Sequence, residues 1–296
     1  MAAVTTAPLV SLQNILVATD FSPCSKMALT YAAALARQEK ARMFLAHVVP
    51  LEPLSPIPMD AGPGTFENLA RDARTLMKKE CVRPELAGIE FRSLIEHGDF
   101  WPAIDTLIHD QKIDLVVVGT HGREGVSKLL MGSTAEEVFR RAACPVITVG
   151  PHVTGDCLHE GRLHRVLFAT DFSAASLHAL PHAAMLAMEH LAPVTFLHVL
   201  ASAVPDAEFV ATNFVERELD EARTQLSEMV PKGIRADIVV EVGIPAEIIA
   251  RVARAQNASL IAMGVHRQSV FAATHLPWST AHRVVCEAPC PVLTVR

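Results

Sequence analysis

The chain has 296 residues, half of them apolar, with a formal net charge of −6 and a pI near 6.2. That length suits about two ordinary domains, each with enough apolar side chains to bury a core. The acidic balance argues against a nucleic-acid-binding protein, no apolar run reaches the roughly 18 uncharged residues of a membrane helix, and the opening MAAVTTAPLVSLQ lacks the basic start and apolar core of a signal peptide.

Taken from the N-terminus, short apolar runs alternate with helical patterns. Strands are expected over 14–19, 42–49, 89–96, 114–119 and 145–149, with helices over 24–38, 66–82, 100–110 and 133–143 between them. Pro50 to Gly64 holds five prolines and two glycines, which marks a loop. Further strands are expected over 165–170, 193–200, 235–242, 259–264 and 291–295. Leu115–Val118 and Leu260–Ala262 are apolar on both faces, as strands covered by helices on both sides are. Alternating β and α segments with such strands imply a parallel, doubly wound α/β sheet.

The chain is written twice. Asn14 to Ser22, NILVATDFS, returns as Arg165 to Ser173, RVLFATDFS, at an offset of 151. The pair His47-Val48 returns as His198-Val199 at the same offset, and Ala143 to Val149 returns as Pro289 to Val295 at an offset of 146. The offset falls because the first copy carries the longer stretch after its second strand. A period near 150 is a duplicated domain rather than a solenoid. The first domain is therefore placed at 1–150, a linker at 151–163 and the second domain at 164–296.

In open α/β sheets, ligands gather at the carboxyl ends of strands where the strand order reverses. Asp20 and Asp171 stand at the ends of first strands. Gly119 ends the fourth and opens the stretch GTHGREGVSKLLMGST, residues 119–134. Its glycines follow the spacing Gly119-x2-Gly122-x9-Gly132, with Ser133 and Thr134 directly behind. Glycine lets backbone approach a ligand closely, while Ser133 and Thr134 are expected to cap the next helix and offer hydroxyls. A helix N-terminus with free amides suits a phosphate. No Gly-x4-Gly-Lys-Ser/Thr loop is present, and no Gly-x-Gly-x2-Gly follows the first strand, so neither the Walker nor the Rossmann phosphate loop applies.

The spacing Gly-x2-Gly-x9-Gly-Ser after an apolar fourth strand resembles the ATP-binding signature of the universal stress protein family. Ala18-Thr19-Asp20-Phe21-Ser22, His47-Val48 and Cys144-Pro145-Val146 are similar to that family as well. The resemblance covers nearly the whole chain, as a tandem two-domain form. It implies two Rossmann-like domains of the adenine nucleotide alpha hydrolase type, each a five-stranded parallel sheet in the order 3-2-1-4-5. It further implies a nucleotide site built from Ala18, Thr19, Asp20, Val48, Gly119, His121, Gly122, Gly132, Ser133 and Thr134. Asp20 would face the adenosine end, Val48 would offer backbone groups to adenine, and the glycines with Ser133 and Thr134 would wrap ribose and phosphates. His121 lies within the loop, in reach of a phosphate. The ligand implied is ATP or another adenine nucleotide, with Mg²⁺ or Mn²⁺ on the phosphates. The resemblance also implies pseudo-twofold pairing of the two domains through 145–149 and 291–295, further dimerisation of the chain, and a cytoplasmic, regulatory role toward a protein partner during stress. No general base is evident, so at most slow ATP hydrolysis is expected. A nucleotide-free scaffold acting through protein contacts is the alternative.

The second copy departs from this pattern. It retains Gly264, Asp171, Val199, Ser279 and Thr280, but Arg267 stands where Gly122 does and Trp278 where Gly132 does, with one extra residue in the loop. Its site reads either as a pocket remodelled with Arg267 as a phosphate ligand or as degenerate, with the domain a structural partner; the second is expected.

Other constellations read as packing or solvated surface. His47 and His198 fit packing positions, and Trp101 opens a helix. His178 and His182 are four apart on a helix, a spacing zinc uses, but Pro181 lies between them and no third ligand is evident. His152, Cys157, His159 and His164 read as linker residues. The six cysteines, Cys24, Cys81, Cys144, Cys157, Cys286 and Cys290, form no Cys-x2-Cys pair and are expected to be reduced.

Overall fold

The computed structural model describes residues 12–50, 65–120, 131–153, 161–201, 212–265 and 280–296. The chain forms two compact units, the first built on Leu12–Pro151 and the second on Arg162–Arg296.

The first unit opens with β1 (Asn14–Ala18), in which Ile15 to Ala18 are all buried. A residue run with no polar face can be covered on both sides only. The helix that follows, α1 (Pro23–Glu39), is capped by Ser22, whose hydroxyl accepts from the Ser25 amide at 3.2 Å. Pro23 occupies its first turn, where its missing N–H costs nothing, and Lys40 ends it in the left-handed region at φ 54°. Small residues let α1 lie close to the sheet, and Ala32 and Ala33 are fully covered.

After β2 (Arg42–Val49) come α2 (Thr65–Cys81), a short turn of 3-10 helix at Pro84–Leu86, and β3 (Phe91–His97). The chain then forms α3 (Phe100–Asp110), β4 (Leu115–Gly119), α4 (Ser133–Arg141) and β5 (Val146–Val149). β1 pairs in parallel with β2 and β4, β2 with β3, and β4 with β5, giving the expected order 3-2-1-4-5. The helix expected over 133–143 stops at Arg141. Ala142 turns to ψ 134°, the extended backbone that leads to Cys144-Pro145 and the last strand.

The second unit repeats the plan with β6 (Val166–Thr170), α5 (Ala174–Glu189), β7 (Val194–Ala201), α6 (Thr212–Met229), β8 (Ala236–Gly243), α7 (Pro245–Ala255), β9 (Leu260–Gly264), α8 (Thr280–Glu287) and β10 (Val292–Val295). β6 pairs with β7 and β9, β7 with β8, and β9 with β10, all parallel. In both units the first and fourth strands are neighbours whose connections leave in opposite directions. The crevice at their carboxyl ends is where an open α/β sheet receives ligands. In the first unit Ala18 stands in register with Ala46 on one side and Val118 on the other, which brings Thr19-Asp20 and Gly119-Thr120 to that crevice.

Candidate functional site

Four residues past the end of β1 form a fixed turn. Thr19 is buried and held on every polar group. Its N–H donates to the Ala46 carbonyl at 2.9 Å, its carbonyl accepts from His47 Nδ1 at 2.7 Å, and its hydroxyl donates to Ser25 Oγ at 3.1 Å. The same hydroxyl oxygen accepts from the Phe21 N–H at 3.0 Å. Phe21 sits at φ 65°, a left-handed conformation that bulky residues adopt only under constraint. Its ring lies 4.5 Å from the His47 ring, centroid to centroid. Between these two pinned residues stands Asp20, half-buried, with Oδ1 accepting from the Ser22 N–H at 3.0 Å. Hence the carboxylate is presented from a backbone fixed on both sides.

Gly119 faces this turn across the crevice, and the reason for its lack of a side chain is visible. A Cβ there would lie 2.5 Å from the Cys24 carbonyl carbon and 2.7 Å from the Ser25 nitrogen. The first turn of α1 fills the space. Thr120, fully buried, donates its N–H to the Val149 carbonyl at 3.0 Å, and its carbonyl accepts from the Gly132 N–H at 2.6 Å. The last hydrogen bond joins the two ends of the glycine stretch. His121 and Gly122 lie outside the described residues, as do Pro50-adjacent positions 51–64.

Ser133 was expected to begin the helix as a cap. Instead Gly132 is the N-cap of α4, at φ −61° and ψ 147°, with no side-chain cap bond. Ser133 and Thr134 are the first two helical residues, and both are exposed. Glycine caps without a hydroxyl of its own, so the first-turn amides have no partner from the cap side chain. Val48 is half-buried and in register with Glu96 of β3. It stands beyond the final β1–β2 pair, Ala18 with Ala46, so β2 reaches past the β1 ladder at the rim. Ala18 itself is buried at the end of β1.

The second unit rebuilds the same turn almost atom for atom. The Phe172 N–H donates to Thr170 Oγ1 at 3.0 Å, and that hydroxyl lies 2.8 Å from Ser176 Oγ. His198 Nδ1 is 2.8 Å from the Thr170 carbonyl, the Phe172 and His198 rings are 4.4 Å apart, and Phe172 has φ 61°. Asp171 Oδ1 accepts from the Ser173 N–H at 3.0 Å and from its hydroxyl at 2.5 Å. A Cβ at Gly264 would lie 2.2 Å from the Ala175 carbonyl carbon. One difference is exposure: Asp20 and Ser22 are half-buried and buried, while Asp171 is exposed and Ser173 half-buried. Thr170, Phe172, Ser173, Ser176, His198 and Gly264 thus each have a packing or hydrogen-bond duty of their own.

Ser25 and Ser176 were not singled out from sequence. The available signal was their recurrence at the same offset of 151 inside the first turn of a helix. His47 and His198 make the packing contacts their matched positions suggested. Trp101 is buried, with the Arg141 guanidinium 5.0 Å from its ring centroid, which ties the start of α3 to the end of α4. Among the described residues no group of three His, Cys, Asp or Glu side chains is arranged to hold a metal ion. Cys157 and His159 of the linker lie outside those residues, while Cys24, Cys286 and Cys290 are buried and Cys81 and Cys144 half-buried. Burial pushes the Cys144 thiol up to about 12 and lowers the pKa of His182. No helix among the described residues is long and apolar enough to cross a membrane.

Comparison with known proteins agrees with this architecture. The family model for universal stress proteins matches residues 11–150 and again 162–296. A universal stress protein of Mycolicibacterium smegmatis is 28% identical over 301 residues, covering 96% of this chain and 97% of its own length. One of Mycobacterium tuberculosis is 27% identical over 291 residues, with 96% of each chain covered. In three dimensions the chain is similar to the crystal structure of a universal stress protein from Archaeoglobus fulgidus, at a TM-score of 0.72 and 22% identity, over 96% of this chain and 97% of that one. With a doubly wound unit repeated and the family model matched by each repeat, the chain belongs to the universal stress protein family.

Proposed function

We propose that the first domain binds ATP, or a closely related adenine nucleotide, at the carboxyl ends of β1, β2 and β4, and that its occupancy serves a regulatory role in the stress response. The observation that supports this most directly is the start of α4. Gly132 caps the helix without a side chain, Ser133 and Thr134 are exposed at its first two positions, and the Thr120 carbonyl holds Gly132 against the end of β4. Open amides at a positive helix end, with two hydroxyls beside them, fit phosphate oxygens. Asp20, across the crevice, fits ribose hydroxyls as a fixed acceptor. Val48 offers backbone groups to adenine, and Gly119, His121 and Gly122 complete the wrap. Ala18 and Thr19 supply the strand end beneath.

A divalent cation, Mg²⁺ or Mn²⁺, belongs on the phosphates in this reading. Such ions keep several waters and take few protein ligands when phosphate oxygens are available, which fits a rim with hydroxyls and one carboxylate. Binding, rather than rapid turnover, is the proposed output. The second domain carries Arg267 and Trp278 where the phosphate wrap needs bare backbone, and it acts as a degenerate partner. Nucleotide carried through purification tests the proposal. Heat-released ligand that chromatographs as an adenine nucleotide supports it. A protein that carries none and binds none on addition of Mg²⁺ and ATP favours the scaffold acting through protein contacts.

A further inference from the structure

His47 stands at the centre of the contacts that hold Asp20. Its Nδ1 lies 2.7 Å from the Thr19 carbonyl, and its ring centroid lies 4.5 Å from that of Phe21. A carbonyl oxygen only accepts, so the ring nitrogen that faces it carries the proton. Thr19 and Phe21 are the chain neighbours of Asp20 on either side. Neither is loose: the Thr19 N–H is held by the Ala46 carbonyl at 2.9 Å, and the Phe21 N–H by the Thr19 hydroxyl at 3.0 Å. Phe21 at φ 65° is in a conformation that persists only where its surroundings over-determine it. A carboxylate fixed before the ligand arrives loses less freedom on binding, which raises affinity.

We infer that His47 is a positioning residue for the nucleotide site, fixing the Asp20 carboxylate by clamping Thr19 through a hydrogen bond and Phe21 through ring contact. This inference rests on the proposed binding of nucleotide at that rim. His47 acts through Asp20 and not on the nucleotide itself. The chain also supplies a control. His198 makes the equivalent contacts in the second domain, 2.8 Å to the Thr170 carbonyl and 4.4 Å to the Phe172 ring. A histidine with only a structural duty matters for stability in both domains and for nucleotide in neither.

The full-length chain and its His47→Ala, His47→Asn and His198→Ala variants are compared by urea denaturation and by calorimetry with Mg²⁺ and ATP. Asparagine places Nδ2 where histidine has Nδ1, so His47→Asn keeps the donor and loses the ring. His47→Ala is expected to weaken ATP binding about fivefold to tenfold, the scale of one hydrogen bond's net contribution. His47→Asn recovers the donor's share of that loss and stays about threefold weaker than wild type for want of the ring, and His198→Ala lowers stability while leaving ATP affinity unchanged. Should His47→Ala fail to fold, Phe21→Leu carries the test, because it removes the ring contact and leaves the histidine donor in place; a weakening of about threefold is expected. Wild-type affinity in His47→Ala, or equal weakening by His47→Ala and His198→Ala, overturns the positioning role. No ATP binding by the wild-type chain overturns the nucleotide reading itself and the positioning role with it.

Discussion

Gly119 and Cys24 approach each other more closely than any side chain at position 119 would permit, with an ideal Cβ falling 2.5 Å from the Cys24 carbonyl carbon. Gly264 and Ala175 repeat the relationship at 2.2 Å. The opposing atoms are helix backbone, which cannot swing aside as a side-chain tip can. The first glycine of the loop is therefore required by the seating of the helix on the strand end. This accounts for its survival in the second copy, where Gly122 and Gly132 give way to Arg267 and Trp278.

Gly119→Ala and Gly264→Ala are each expected to destabilise by about 1–3 kcal/mol, the cost of overpacking a tight contact. The second substitution lies in the domain without an intact glycine loop, so a loss there isolates the packing duty. Urea denaturation of both variants checks this. Wild-type stability in Gly264→Ala would mean that α5 withdraws from the strand at little cost.

The hydroxyl lattice carries a second expectation. Ser25 Oγ accepts from the buried Thr19 hydroxyl and donates to the Ser22 carbonyl at 3.0 Å. Ser25→Ala removes the Thr19 acceptor inside a buried site, for an expected loss of about 1–3 kcal/mol. Ser176→Ala acts on an equally buried pair, Ser176 and Thr170 being 3% and 6% exposed, and should cost about as much. Thermal unfolding of the two variants checks this, and a loss confined to one of them would contradict the equal burial of the two pairs.

Most of the architecture was legible because β1, β4, β6 and β9 are short runs with no polar face, and because the repeat allowed each strand to be checked against its partner. Helix ends were less legible. The extended Ala142 that stops α4 short of 143 reflects the Cys144-Pro145 turn, which propensity within the helix does not report. The N-cap was displaced from Ser133 to Gly132 for a similar reason: the carbonyl of Thr120, one residue past β4, fixes Gly132 from the other end of the glycine stretch. At the rim, Asp20 was legible from its place at a strand end. Ser25 was not, since one serine in a helical first turn looks like any other until the Thr19 hydroxyl is found on it. The spacing rule likewise cannot distinguish a glycine whose missing side chain makes room for a ligand from one, such as Gly119, whose missing side chain makes room for a helix.

Cys144 gives a pH prediction. Burial favours its neutral thiol and pushes the pKa up to about 12 from an ordinary value near 9. The unfolded chain thus releases this proton at lower pH than the folded one, so Cys144 lowers stability as pH rises from about 9 toward 12. Below that window it is a neutral thiol in both states. Thiol labelling at pH 8 followed by peptide mapping should find Cys144 slow in the folded protein and fast in denaturant. Cys144 is half-buried, so rapid labelling in the folded protein would contradict the raised pKa.

His182 works at the other end of the scale. Burial lowers its pKa below the usual histidine value, so the unfolded chain takes up a proton first as pH falls below about 6.5. Stability should fall with this acidification until the folded-state pKa is passed. His182→Gln removes the titration and should flatten stability between pH 7 and pH 5 relative to wild type. An unchanged slope would mean that His182 is solvated enough to titrate alike in both states.

In the proposed function the first domain holds one adenine nucleotide through the amides and hydroxyls at the start of α4. Calorimetry with Mg²⁺ and ATP on the wild-type chain and on Gly132→Trp, which copies the second domain's residue into the first, tests it most directly. One site per chain, lost in Gly132→Trp, is the expected result. Two sites per chain, or a single site that survives the substitution, would contradict it.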